Sequence, residues 1–187
     1  MKTTIAIVLL SINFSFAQEI SGIYLSANDF KSDKLSFPEN PNQKSHRIKL
    51  HNSIYKPFIE IKKDSENIVY RKSDVFGYKT VDGNAFRFVK ESEYKILESK
   101  AITLYARTYF ASKATVKTEY FFSIDTSSAI LPLTVFNLKN AFPINHQFHD
   151  LLNIYFDNDD NKLIKYDAFN KTYLLNHLLE ESLNKKQ

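Results

Sequence analysis

The chain contains no cysteine among its 187 residues, no tryptophan and only three glycines. The missing cysteine excludes disulfides, thiolate metal sites, a thiol nucleophile and a lipidated N-terminal cysteine. The glycines, Gly22, Gly77 and Gly83, lie too far apart for a phosphate-cradling loop or a dinucleotide fingerprint. A Gly-x-Ser-x-Gly nucleophile elbow is absent as well. Strained backbone near reacting groups commonly uses glycine, so this scarcity argues against an enzyme. Beyond the first residues, no stretch is apolar enough to span a bilayer, which takes about 20 predominantly apolar residues. No cofactor is implied.

What is present starts with an export pattern. Lys2 precedes an apolar run from Ile5 to Leu10, and Ser15-Phe16-Ala17 supplies small side chains at the two positions a signal peptidase reads. Ser11, Asn13 and Ser15 interrupt the run and speak against a retained anchor. The expectation is a signal peptide over 1–17 and a single domain over 18–187, exported to the periplasm or the exterior. The formal net charge is +4, and the cations mostly sit beside acids, as in Lys62-Lys63-Asp64 and Lys90-Glu91. A nucleic-acid binder concentrates its cations on one surface, so that class is set aside. The remaining partner classes are a small molecule, a glycan or an envelope protein.

Periodicity divides the mature chain. Gly22 to Leu25 reads as a short strand, and Ser26 with Asp29 as the start of a short helix. Phe37-Pro38 through Asn42 reads as loop, and 46–50 as an edge strand. Alternation then predicts strands at 58–62, 67–71, 75–81, 85–90, 94–98, 101–110 and 118–125, joined by turns too short for parallel crossovers. A hairpin is expected around Asp82-Gly83. A three-residue loop over 82–84, with Asn84 left-handed, would place Phe76, Tyr78, Phe86 and Phe88 on one face. Thr134 caps a helix over 135–142 and Asn145 one over 146–156, with Phe148, Leu151, Leu152, Tyr155 and Phe156 forming its apolar stripe. Segments 162–166 and 168–183 follow, the last carrying Leu174, Leu175, Leu178 and Leu179. The fold class is therefore α+β: an antiparallel sheet or β-roll of about six to eight strands over 46–125, packed by C-terminal helices over 134–184.

Two residue sets carry candidate chemistry. Tyr105, Arg107 and Tyr109 alternate on one face of strand 101–110; an arginine between aromatics suits a sugar or a carboxylate. The competing reading is an outer sheet face partly covered by neighbours. His146, His149 and Asp150 share the polar face of helix 146–156. Histidines at i and i+3 with a carboxylate suit one divalent metal, although the His-Glu-x-x-His pattern is absent. Asp157-Asn158-Asp159-Asp160-Asn161 resembles a calcium loop but places Lys162 and Ala168 where glycine and a bidentate glutamate belong. No catalytic residue is assigned.

Gly22-Ile23-Tyr24-Leu25-Ser26-Ala27-Asn28-Asp29-Phe30-Lys31, then Asp74-Val75-Phe76-Gly77-Tyr78, then Leu133-Thr134 to Phe142 followed by helices, resemble small secreted bacterial proteins of no assigned function. That resemblance implies export, and it brings neither an activity nor a catalytic residue. The expected role is a non-enzymatic protein binding a ligand or partner, with a small secreted hydrolase, metal-dependent at His146/His149/Asp150, as the alternative.

Overall fold

A computed structural model describes residues 20–39, 46–51, 56–63 and 66–184. The expected leader, the predicted loop at 40–42 and the C-terminal lysines at 185–186 lie outside these residues. Eight antiparallel strands form the main sheet: β1 (Ser21–Tyr24), β2 (Ser36–Glu39), β6 (Gly77–Lys79), β7 (Ala85–Val89), β8 (Ser92–Ser99), β9 (Thr103–Phe110), β10 (Val116–Ser123) and β11 (Leu131–Pro132). Their order is β11-β10-β9-β8-β7-β6-β1-β2. A separate three-stranded sheet holds β3 (His46–Lys49), β4 (Phe58–Lys63) and β5 (Glu66–Arg71). The helices are α1 (Ala27–Lys31), α2 (Val135–Ala141), α3 (His146–Phe156) and α4 (Leu174–Asn184). This is the α+β class expected, with strands first and most of the helix last.

Three corrections apply to the strand plan. Strands at 46–71 do not join the main sheet but form their own. Ser36 to Glu39 is an edge strand paired with β1, not loop; an edge tolerates Pro38 because its missing N–H costs no ladder bond there. The hairpin loop has three residues but sits one position earlier than predicted. Tyr78 pairs Phe86, the Thr80 amide donates to the Asn84 carbonyl at 2.9 Å, and Gly83 (φ 77°) is the left-handed residue. Glycine takes that conformation without the Cβ clash an asparagine meets.

Cross-strand pairing settles what covers each face, because directly paired residues point to the same side. Ile23, Tyr78, Phe86, Lys95, Ala106 and Tyr120 are linked in this way across the sheet. At the β1 end, Ile23, Tyr78 and Phe88 pack against Ile59 and Ile61 of the small sheet. At the β10 end, Ile102, Leu104 and Phe122 pack against Leu138, Phe148, Leu152, Phe156, Leu175, Leu178 and Leu179 from the helices. One face thus carries two covers side by side. An eleven-residue helix such as α4 is marginal alone; its three buried leucines, at about 1.5–3 kcal/mol each, make it stable in place.

Phe76 leaves the predicted aromatic group. Tyr78, Phe86 and Phe88 do cluster, with ring centroids 4.8 and 5.4 Å apart. Phe76 instead stacks on Phe30 of α1 at 5.2 Å, and Val75 takes its place in the core. Gly77 explains the departure from alternation: a Cβ there would sit on the Phe86 carbonyl oxygen, so the strands approach more closely than any side chain allows.

The caps at Ser26, Thr134 and Asn145 are as predicted. Ser26 and Asp29 form a reciprocal capping box, and the Thr134 and Asn145 side chains accept from the Asn137 and Phe148 amides. The predicted helix start at 168 is wrong. Asp167 Oδ1 accepts from the Phe169 and Asn170 amides at 3.0 and 3.2 Å, Lys171 is left-handed (φ 50°), and a small hairpin of β12 (Tyr166–Asp167) and β13 (Thr172–Tyr173) replaces the first turns. An aspartate that bonds its own downstream amides competes with helix formation. Within α3, Tyr155 falls outside the buried stripe, at 51 % exposure.

Candidate functional site

The second face of the main sheet carries the sequence's arginine and tyrosine alternation. Tyr24, Gly77, Arg87 and Tyr94 pair in turn across it, and Tyr105 with Phe121, and Arg107 with Glu119, extend it over β9 and β10. Helix α1 lies over one end, where Phe30 meets Tyr24 edge-on at 5.4 Å and stacks on Phe76. Segment 124–130 lies over the middle.

Arg87 and Tyr105 hold that segment down. The Arg87 guanidinium donates to the Tyr105 hydroxyl at 3.0 Å and to the Ser127 and Ser128 carbonyls at 3.4 and 3.0 Å. Its plane also lies near the rings of Phe76 and Tyr105, at 5.6 and 5.9 Å. Tyr105 and Ser123 share a hydrogen bond at 2.9 Å, and Ser123 Oγ donates to the Asp125 carbonyl. Tyr105 is fully buried. Of the three residues singled out on this strand, it is therefore part of the internal fastening and not of an accessible surface.

Arg107 and Tyr109 are half-buried and face outward. The Arg107 guanidinium carbon lies 5.7 Å from the Tyr94 ring centre and 5.9 Å from that of Tyr109. Tyr94 is fixed edge-on against Phe121 at 5.1 Å. Tyr109 donates its hydroxyl to Glu119 Oε1 at 2.7 Å, and that bond to a carboxylate raises its phenol above the usual range. Although Glu119 is Arg107's direct neighbour across the strands, the two do not pair. Among the described residues, the Arg107 guanidinium donates no hydrogen bond. Contact with the two rings does not use its N–H groups, which remain open to a planar acceptor such as a carboxylate.

The histidine set is arranged differently. His146 and His149 rings lie 6.0 Å apart and nearly perpendicular. His149 Nε2 is 2.9 Å from the Phe142 carbonyl; a carbonyl only accepts, so this nitrogen carries the proton and closes the C-terminal end of α2. His146 and Asp150 are exposed. Among the described residues, no three histidines, cysteines or carboxylates come together as a metal-holding group. No helix among them is long and apolar enough to cross a membrane.

Two functional-looking polar groups escaped the sequence reading. Glu98 sits at a bulge in β8 and accepts from Thr172 Oγ1 at 2.8 Å, the Tyr173 amide at 3.2 Å and Asn176 Nδ2 at 2.7 Å. Asn176 in turn accepts from the Ile102 amide at 3.0 Å. Lys72 is 2 % exposed with its ammonium 5.4 Å from the Phe88 ring centre. Burial lowers its pKa, against the opposing pull of Glu93 and Glu91. Neither has a local signal, since the partners come from strands and helices distant in sequence. A pocket of about 220 Å³ opens between β1, β6 and β3, lined by Ile23, Ile48, Leu50 and Tyr78. Ligand pockets commonly begin near ~300 Å³, so this one is small for a ligand.

Comparison with family models, curated proteins and solved structures finds no match for this chain. The site therefore rests on its own geometry.

Proposed function

We propose that the protein is exported by a leader cleaved after Ala17 and acts outside the cytoplasm as a non-enzymatic binding protein, its ligand face centred on Arg107. The leader pattern supports export. The observation that carries the binding reading is Arg107: its guanidinium lies in contact with Tyr94 and Tyr109 and its donors go unused among the described residues. An arginine fork with open donors is completed by a planar acceptor. The tyrosine rings beside it suit an organic anion with an apolar or sugar face, such as an acidic glycan. The alternative, a small metal-dependent hydrolase, draws no support from the placement of His146, His149 and Asp150.

Titration calorimetry with oligogalacturonate and a neutral oligosaccharide of equal length tests the reading. The expected result is binding of the anionic ligand alone, reduced at least about tenfold by Arg107→Ala and only partly restored by Arg107→Lys, because an ammonium cannot make the bidentate contact. Unchanged affinity in Arg107→Ala would remove the site. Mass spectrometry of natively produced protein tests export; a chain still starting at Met1 would remove that part.

A further inference from the structure

Pairing between β8 and β9 ends at Lys95 with Ala106. Beyond that level β9 pairs with β10 alone, down to Phe110 with Val116. Arg107 still meets the Tyr94 ring of β8. From Thr108 onward the ribbon runs three pairs further, roughly 10 Å at about 3.4 Å per residue. Phe110 is 74 % exposed and Val116 56 %. As direct partners they share one face of the ribbon. It is the face that carries Ala106, which is still buried, so the cover over the sheet stops short of the tip. The connecting loop, 111–115, is closed by the Ala111 amide donating to the Thr115 carbonyl at 2.8 Å. It adds two small apolar side chains, Ala111 and Ala114, and Lys113.

The charge around this apolar tip has one sign. From Ser99 to Thr118 the chain holds Lys100, Arg107, Lys113 and Lys117 and no acid. Among the described residues, Lys113 and Lys117 form no ion pair. The acids of the adjoining strands are engaged elsewhere. Glu119 lies on the face opposite Phe110, where it accepts from the Tyr109 hydroxyl at 2.7 Å. Glu91 and Glu93, on the β7–β8 connection, act on Lys72. Single exposed apolar side chains are ordinary. An aromatic and a β-branched residue paired at the end of a ribbon, with unpaired lysines around them, are a more specific arrangement. A protein groove would take the apolar pair by contact alone. The unopposed lysines favour a surface that is both extended and anionic.

We propose that the β9–β10 tip docks the protein on an anionic bilayer, with Phe110 and Val116 entering the headgroup boundary. Lys113 and Lys117 meet the lipid phosphates, as cations do beside the apolar part of an interfacial anchor. This contact is independent of the Arg107 ligand face, which occupies the other side of the same strands.

The chain has no tryptophan, so Phe110→Trp places a single indole at the tip, at a position open enough to hold it. Phe136→Trp on α2, where the native ring is 73 % exposed, is the control. The probes are vesicles of phosphatidylglycerol and phosphatidylcholine in equal parts, and vesicles of phosphatidylcholine alone. With the anionic vesicles, the emission of Phe110→Trp is expected to shift to the blue and to resist quenching by acrylamide, while that of Phe136→Trp stays unchanged. Neutral vesicles, or Lys113→Glu added to Phe110→Trp, are expected to weaken binding at least about fivefold, the worth of one lysine beside an anionic surface. If Phe110→Trp lowers the melting temperature, Val116→Trp on the partner strand replaces it. No shift at the tip, an equal shift at position 136, or equal affinity for both kinds of vesicle would overturn the inference. So would a shift produced by a membrane-free envelope extract and not by vesicles, since the tip would then serve a protein partner.

Discussion

Replacing Gly77 with alanine sets two effects of opposite sign against each other. Alanine restricts the unfolded chain and on that account stabilises by about 0.4–1 kcal/mol. In the folded state the added Cβ would sit on the Phe86 carbonyl oxygen, 2.9 Å from its carbon and 3.0 Å from the Arg87 Cα. All three are backbone atoms, so no side chain can swing away. Relief requires β6 and β7 to part by roughly 1 Å, and β6 is held on its other side by β1. Overpacking of this kind costs about 1–3 kcal/mol, and each ladder bond weakened adds about 1 kcal/mol. The net is a loss of about 3 kcal/mol, a large share of the roughly 5–15 kcal/mol that holds a domain together. At about 2–4 °C per kcal/mol for a chain of this size, the melting temperature falls by roughly 6–12 °C. Urea unfolding followed by tyrosine fluorescence and circular dichroism measures it. Gly22→Ala is the control, where the nearest contact is the Leu35 side chain at 3.0 Å. A Gly77→Ala protein within 1 kcal/mol of wild type, or no worse than Gly22→Ala, would refute the close-approach argument.

Glu98→Ala strands the donors of Thr172, Tyr173 and Asn176 and is expected to cost about 2–4 kcal/mol. Hydrogen exchange should show the Tyr173 amide opening first. Tyr105→Phe deletes the buried hydroxyl shared by Arg87 and Ser123; a loss of about 1–2 kcal/mol and faster proteolysis within 124–130 are expected. Asp33 bonds the Tyr24 hydroxyl and Lys79, which together hold its carboxyl below the usual range. A lowered folded pKa means that its stabilisation is complete above the ordinary aspartate value and disappears as pH falls through the folded one. Asp33→Asn should therefore flatten the acid side of the urea-midpoint profile below about pH 4 and leave its shape near neutrality unchanged.

Much of the architecture was readable because its causes are local. Alternation marks the strands, Ser26, Thr134 and Asn145 mark helix starts, and the leucines at helical spacing mark the face that α4 buries. The failures share a cause, which is partners remote in sequence. Nothing near 46–71 says that these strands leave the main sheet to cover Ile23 and Tyr78. The start of α4 moves to Leu174 because Asp167 turns the chain and Glu98, some seventy residues earlier, captures the Thr172 and Tyr173 groups. Phe76 breaks alternation because Gly77 draws two backbones together. At the site, alternation placed Tyr105, Arg107 and Tyr109 on one face. It carried no information that Arg87 and Ser123 would bury the first and leave the other two facing outward.

The binding face itself is best tested at one nitrogen. In a heteronuclear NMR titration with oligogalacturonate, the Arg107 side-chain Nε–H resonance should shift and saturate together with the amides of Tyr94 and Tyr109. An Arg107 resonance that stays still while ligand saturates the protein, with shifts gathered around His146 and His149 instead, would contradict the account.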